Sequence, residues 1–307
     1  MTFESALEAL TDTSQRLAAQ HLSELSDLHG EAARQFAETW PEIPEERRLR
    51  LVTDLTELAE DNVELNFHTI FKTALRDDDA MVRAAAIRGL YEYEGRDLID
   101  VLADVLRNDP EKEVRREAAI ALGRFALEAE LGHYREDDAA TIRDTLIESV
   151  EDEEEDDRVR ARSLEALGAL SGEETQNLIE SIYHEDSMWL KAGAVDAMGR
   201  SCEGDWLPTV LQEAQNRAPE MRHAAAFAMG EIGDESTIPM LKRMALLDPD
   251  REVQLAAVHA LGEIGGPPAR VALKAVLYEG DDSLNDAIQE ALTTVAFNED
   301  PLNPATL

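Results

Sequence analysis

One amphipathic pattern returns along this chain at a nearly constant interval, and that periodicity limits the available folds more than any other feature. Its clearest copy runs from Asp250 to Gly262: an Asp able to cap a helix, apolar residues at Val253, Ala257, Val258 and Leu261, and a glycine after the last of them. The spacing predicts a helix that begins after Asp250 and stops at Gly262. The apolar residue at Val253 is one of a series, Val82, Val114, Val159, Leu190, Met221, Val253 and Leu284, with steps of 32, 45, 31, 31, 32 and 31 residues. A fixed period of this size marks a stacked repeat array, which grows along one axis and escapes the usual count of domains from length.

The copies agree in detail. Four places after the key residue stand Ala86, Ala118, Ser163, Ala194, Ala225, Ala257 and Ile288, and eight places after it stand Leu90, Leu122, Leu167, Met198, Met229, Leu261 and Leu292. These share one stripe of a helix. Seven places on, Gly89, Ala121, Ala166, Ala197, Ala228, Ala260 and Ala291 are small enough to let neighbouring helices approach closely. Aromatics are only 5% of the chain, so the core must be built from Ala, Leu, Val and Ile. Nothing alternates with period two for long, and the expected class is all-α.

Each copy is expected to be a hairpin. The first helix is apolar at Leu98, Val101, Leu102 and Val105 in one copy, and is centred on Ile142–Val150, Gln176–Tyr183, Trp206–Ala214, Thr237–Leu247 and Arg270–Leu277 in the others. Turns rich in Asp, Pro and Gly, such as Asn108-Asp109-Pro110 and Asp248-Pro249-Asp250, halt the first helix and cap the second. Glu45–Asp61 and Asn62–Leu75 read as two helices entering the array. Residues 1–45 do not follow the repeat; their short helical patterns (Phe3–Leu10, Ser14–Leu28, Glu31–Trp40) read as a helical N-terminal cap, with a separate docking element as the alternative. The expected organisation is cap 1–45, repeat region 46–297 with an insertion at about 124–157, and a frayed tail 298–307. Within the insertion, Phe125–Leu131 lengthens a helix and Gly132–Asp138 reads as loop. The acidic run at 151–157 reads as a solvated turn.

The pattern Asp-x-x-Val-Arg-x-x-Ala-x-x-Ala-Leu-Gly, best seen at Asp79–Leu90, Glu111–Gly123, Asp156–Gly168 and Asp250–Gly262, resembles the second helix of HEAT repeats. It is most similar to the short units of about 31 residues in phycobilisome lyases and bacterial scaffold proteins. The resemblance covers roughly residues 62–297. It implies a right-handed α-solenoid with the second helices lining a concave side. In HEAT repeats the residue after the key position is typically Arg, bridging to an acid of a neighbouring turn. Here it is Arg83, Arg115, Arg160, Lys191 and Arg222, while Gln254 and Asn285 depart.

The chain has 66 acidic and 29 basic residues, a formal net charge of -37. Such a surface repels nucleic acid and anionic membranes, whose binding rests on Lys and Arg. Three readings stand for it: a solubilising or salt-adapted surface, a docking face for a basic protein, and a nucleic-acid mimic. Cys202 is the only cysteine. With no disulfide, no signal-peptide pattern and no apolar run near the ~20 residues of a membrane span, a cytoplasmic protein is expected.

Catalytic motifs are not found: no His-Glu-x-x-His, no Gly-x-Ser-x-Gly, no phosphate-binding glycine loop. One HEAT-like family, deoxyhypusine hydroxylase, holds two irons on His-Glu pairs. Here the corresponding helix start reads Arg222-His223-Ala224, and the single pair His184-Glu185 falls in a turn. The reading is therefore a non-enzymatic scaffold with no cofactor and no metal, whose concave face binds another protein, basic in one version. The resemblance to phycobilin lyases implies the alternative, an accessory lyase or chaperone for a pigment or cofactor. Positions two and six after the key residue should face outward on the concave side. They supply Arg116, Ile120, Glu165, Asp196, His223, Phe227, Leu255 and His259, with Arg88 in the same band and Arg124 and Arg200 one turn on. Phe227 with His223 and His259 makes an aromatic and imidazole patch suited to anchoring a partner segment, unless Phe227 turns inward.

Overall fold

The computed structural model describes residues 2–12 and 17–299, and they form α-helices, short 3-10 turns and connecting loops without a strand. The chain divides into two compact units, Met1–Phe125 and Ala126–Leu307. In the first, α1 (Phe3–Thr11), α2 (Ala19–Ser23) and α3 (Gly30–Thr39) precede α4 (Glu45–Asp61), α5 (His68–Ala74), α6 (Ala80–Gly89) and α7 (Asp97–Asn108). The division falls within α8 (Lys112–Glu130). The second unit continues with α9 (Glu136–Glu151), α10 (Asp157–Leu167), α11 (Glu173–Tyr183), α12 (Met188–Arg200), α13 (Leu207–Glu213), α14 (Pro219–Ile232), α15 (Ile238–Leu247), α16 (Arg251–Ile264), α17 (Gly266–Glu279) and α18 (Asn285–Glu299). The expected helix Ser14–Leu28 falls partly, and the tail 298–307 mostly, outside the described residues.

In the second unit α9 packs on α10, α11 on α12, α13 on α14, α15 on α16 and α17 on α18, so each pair is a hairpin. The second helices α10, α12, α14, α16 and α18 pack side by side in chain order, which makes the unit a solenoid of helical hairpins. The first unit uses the same local rule, α5 on α6 and α4 beside α6. Its N-terminal segment is tied down by Arg47, which donates to the carbonyls of Ala9, Leu10 and Asp12, and by Thr69, which donates to Leu28 O at 2.8 Å. Trp40 Nε1 and Arg48 both donate to the buried Asp77 at 2.7 Å.

The periodic residues do what their spacing demands. All seven key residues are buried, as are all seven residues four places on. The eighth-place row is buried except Leu292 of α18, which has no further helix beside it among the described residues. Helix starts are capped as expected: Asp79 accepts from the amides of Met81 and Val82, and Asp250 from those of Glu252 and Val253.

The glycine nine places after the key residue is a correction. Gly262 does not stop its helix; α16 runs on to Ile264, and Gly265 ends it with φ 66°. Gly123, Gly199 and Gly230 likewise lie inside helices. Gly199, Gly230 and Gly262 serve close approach instead. A Cβ on Gly199 would sit 2.6 Å from Ala228 Cα, and one on Gly230 would sit 2.9 Å from Ala260 Cα. A Cβ on Gly168 would lie 2.7 Å from Ala197 O. Each glycine thus meets the small seventh-place residue of the next second helix, a contact that helix-stop reasoning overlooks. Three smaller differences follow from where helices begin. Val101 is on the outer side of α7, whose buried stripe is Leu98, Ile99, Leu102, Ala103 and Leu106. The expected helix Asn62–Leu75 shrinks to His68–Ala74, and the expected loop Gly132–Asp138 ends early because α9 starts at Glu136.

Candidate functional site: the second-helix face

The row of second helices in the second unit presents a connected polar network built from the sixth-place residues. Glu165 on α10, Asp196 on α12 and Phe227 on α14 occupy equivalent positions, one repeat apart. Arg200, one turn beyond Asp196, ties them together. Its guanidinium lies 3.6 Å from Glu165 and 3.6 Å from Glu231, and 4.9 Å over the Phe227 ring. Arg162 closes the other side, bonding Glu165 and reaching Asp196 at 4.0 Å. Phe227 is half-buried under Arg200, neither free nor sealed in the core.

Asp196 carries the electrostatic strain of this group. Its side chain is 16% exposed. Burial first, and then repulsion from Glu165, push its carboxyl up to about 8, against the pull of Arg162 and Arg200. The two arginines face carboxylates of Glu165, Asp196 and Glu231, so the patch is a near-balanced cluster within a very acidic protein.

The remaining anticipated residues are more dispersed. His259 is exposed and lies 3.8 Å from Glu263; no hydrogen bond, ion pair or ring contact among the described residues joins His223, Leu255 or His259 to the Arg200 network. In the first unit, Arg88 pairs with Glu117 at 3.1 Å, and Arg116 approaches the same carboxylate at 3.1 Å. Ile120 is 42% exposed. Arg124 donates to Tyr93 O at 2.7 Å and lies against the rings of Tyr91 and Phe125. Sequence reasoning missed Arg162, Glu117 and Glu231. Glu231 had a signal, since it stands one turn past Phe227 as Arg200 stands past Asp196.

At the opposite, turn end of the hairpins runs a ladder of cations. Arg83 forks onto Asp109 at 2.8 Å through two nitrogens and donates to the carbonyls of Asp77 and Asp78. Arg222 repeats this with Asp248, at 2.7 and 2.8 Å, and the carbonyls of Asn216 and Arg217. Arg160 bonds Val150 O and Glu185. The hydrogen bond to Asp109 holds the Arg83 guanidinium above its ordinary pKa, and Asp248 does the same for Arg222. Burial is the largest single influence on Asp248 and works against its charge, yet the hydrogen bond and charge of Arg222, together with the amide of Asp250, outweigh it and leave this carboxyl below the usual range. These arginines are structural clamps between consecutive turns.

A di-iron centre does not fit the residues present. Glu185 is engaged by Arg160, and His184 lies edge-on to Tyr183 with ring centroids 5.3 Å apart. Among the described residues no group of three or more His, Cys, Asp or Glu could hold a metal, and no helix is long and apolar enough to cross a membrane.

Comparison with known proteins places this architecture. A family model described as HEAT repeats matches residues 69–131 and 207–293. Deoxyhypusine hydroxylase of Saccharomyces cerevisiae is 28% identical over 137 residues, 41% of this chain and 42% of that protein, so the match spans less than half of the curated relative. The CpcE–CpcF complex of phycocyanin lyase from Nostoc sp. PCC7120 is similar in structure, with TM-score 0.54 and 14% identity over 92% of this chain and 97% of that one. Human deoxyhypusine hydroxylase aligns over 96% of both chains at TM-score 0.38 and 15% identity. The expectation of a chain without enzymatic activity is overturned by these findings. The curated relative is a hydroxylase and the structural neighbour a lyase, so helical repeats of this type carry catalysis and the missing motifs exclude nothing.

Proposed function

We propose that this HEAT-repeat protein binds another protein through the second-helix face of residues 126–299, with Arg200 and Phe227 at the centre of the contact. The observation that carries the reading is the guanidinium of Arg200 lying 4.9 Å over a half-buried aromatic ring, beside the carboxylates of Glu165 and Glu231. Aromatic and Arg side chains concentrate binding energy in interfaces, and a planar guanidinium can offer its remaining donors to a partner's carboxylate or carbonyl oxygens. Glu165 and Glu231 give the same patch a complement for basic side chains, which the net charge of -37 favours at long range. His223, Leu255 and His259 extend the face along α14 and α16, and Arg88, Arg116, Ile120 and Arg124 form its counterpart in the first unit. The likeness of fold to the structure of the complex of CpcE and CpcF supports a protein as the partner.

Affinity capture from native lysate tests this. Proteins retained by the wild-type chain should be lost with Arg200→Glu and with Phe227→Ala combined with His259→Ala. They should be kept by Tyr278→Ala, which alters a residue 92% exposed on α17. Identical captured sets for all four proteins would overturn the reading.

A further inference from the structure

At one turn the ladder keeps its cation but loses the acid that receives it, and that turn borders a pocket. The residue equivalent to Arg83, Arg160 and Arg222 is Lys191 on α12, and the turn position equivalent to Asp109 and Asp248 is Asn216. The equivalence of the turn is visible in its hydrogen bonds. Asp109 accepts from the amide of Glu111 at 3.0 Å, Asp248 from that of Asp250 at 3.0 Å, and Asn216 from that of Ala218 at 3.0 Å. The turn therefore survives the exchange of Asp for Asn, while the oxygen that would receive the cation of the preceding repeat is replaced by an amide NH2. That NH2 is turned away, donating to Glu213 at 2.6 Å.

Glu213 is itself out of pattern. The residues three places before Asp77, Asp109 and Asp248 are the buried apolar Ala74, Leu106 and Ala245. Here a carboxylate is buried instead, satisfied by Tyr183 Oη at 2.5 Å and by Asn216. Burial and the bond to Glu213 push the Tyr183 phenol up to about 12, so it stays a donor. With Glu213 matched by two donors, the unmatched charge is Lys191, whose ammonium makes no hydrogen bond or ion pair among the described residues. Lys191, Glu213 and Asn216 line a cavity of about 430 Å³ together with Tyr183, His184 and the apolar walls of Met188 and Met221.

We propose that this cavity binds a carboxylate, which takes the place of the turn Asp that Asn216 has lost and pairs with Lys191. Intact rungs in the same molecule show what the position accepts: a carboxylate held by the cation of the preceding repeat. The cavity is large enough for a short aliphatic chain behind that group, and Met188 and Met221 supply its apolar contact. The net charge of -37 opposes anions at long range, but at physiological salt this field fades over roughly 8 Å and leaves the local ammonium in control. The site lies at the hairpin turns and does not use Arg200 or Phe227, so it stands or falls independently of the second-helix face.

The test is a titration of the full chain, labelled with 13C at its methionine methyls. Glutarate should shift the Met188 and Met221 methyls saturably while glutaramide, its neutral counterpart, should not. Lys191→Met should abolish the response, Lys191→Arg should retain it, and Asn216→Asp should weaken it at least tenfold by supplying the missing carboxylate from within. A blocked tripeptide with a central Glu tells the source: tighter binding than glutarate assigns a partner's acidic side chain, weaker binding a free small carboxylate. Absence of a saturable shift, an equal response to glutaramide, or a response undiminished in Lys191→Met or Asn216→Asp would each overturn the proposal.

Discussion

At Asp196 the chain holds a carboxylate where its own fold disfavours the charge. A group whose folded pKa is raised binds its proton more tightly in the folded than in the unfolded state, so its contribution to stability declines as pH rises between the two values. For Asp196 that window runs from its ordinary value of 3.8 to about 8. Asp196→Asn keeps the shape of the protonated acid and removes the titration. The variant should gain stability relative to wild type as pH rises from 4 to 8, by at least about 1 kcal/mol at the upper end. Chemical denaturation at several pH values measures it, and a difference between the two proteins that is flat in pH would show that Asp196 ionises freely. The sixth-place register puts Asp196 in the same row as Glu165 and Phe227. It could not show that Arg162, Arg200 and Glu165 converge on it, because those partners come from a neighbouring helix and from adjacent turns. The broken rung has the same lesson: only the fold sets Lys191 and Asn216 on one cavity.

At the scale of the helix the pattern was read well in its large residues and misread in its glycines. Burial of the key, fourth and eighth positions follows from period alone. Gly262 in a terminal Leu-Gly looks like a stop, and a helix stop is the common role of glycine there. What decides against it is the next helix, whose Ala291 stands 3.2 Å (Cα) from where a Cβ on Gly262 would be. Gly199 is the tightest case, with Ala228 Cα at 2.6 Å. Gly199→Ala should therefore destabilise the protein by about 1–3 kcal/mol, since overpacking outweighs the ~1 kcal/mol that Ala gains as a helix former. Gly204→Ala, where a Cβ would meet nothing within 4 Å, should change stability little. Urea titration of both variants checks this, and a stabilised Gly199→Ala would mean the helices are less closely packed than the geometry requires.

For the whole molecule the governing quantity is charge. A surface with net -37 repels itself, and added salt screens that repulsion while leaving the apolar core and buried ion pairs largely untouched. The melting temperature should rise by about 5 °C or more between 10 and 500 mM NaCl. A fall over that range would show that the surface ion pairs, such as Lys242 with Glu279 and Lys72 with Asp97, contribute more than the net repulsion costs.

The order of residues by itself determined that this protein is a tandem series of helical hairpins, which positions are core and where most second helices begin, because those properties depend on short-range periodicity and capping. Tertiary structure alone decided which side chains meet between repeats: Arg200 with Phe227, Gly199 with Ala228, and Lys191 with the space that Asn216 leaves. Each of those meetings joins residues about 27 to 29 apart, or 25 for Lys191 and Asn216, through the stacking of one hairpin on the next. No local rule records the distance or direction of that stacking, since both are set by how closely the small residues of two helices can pack.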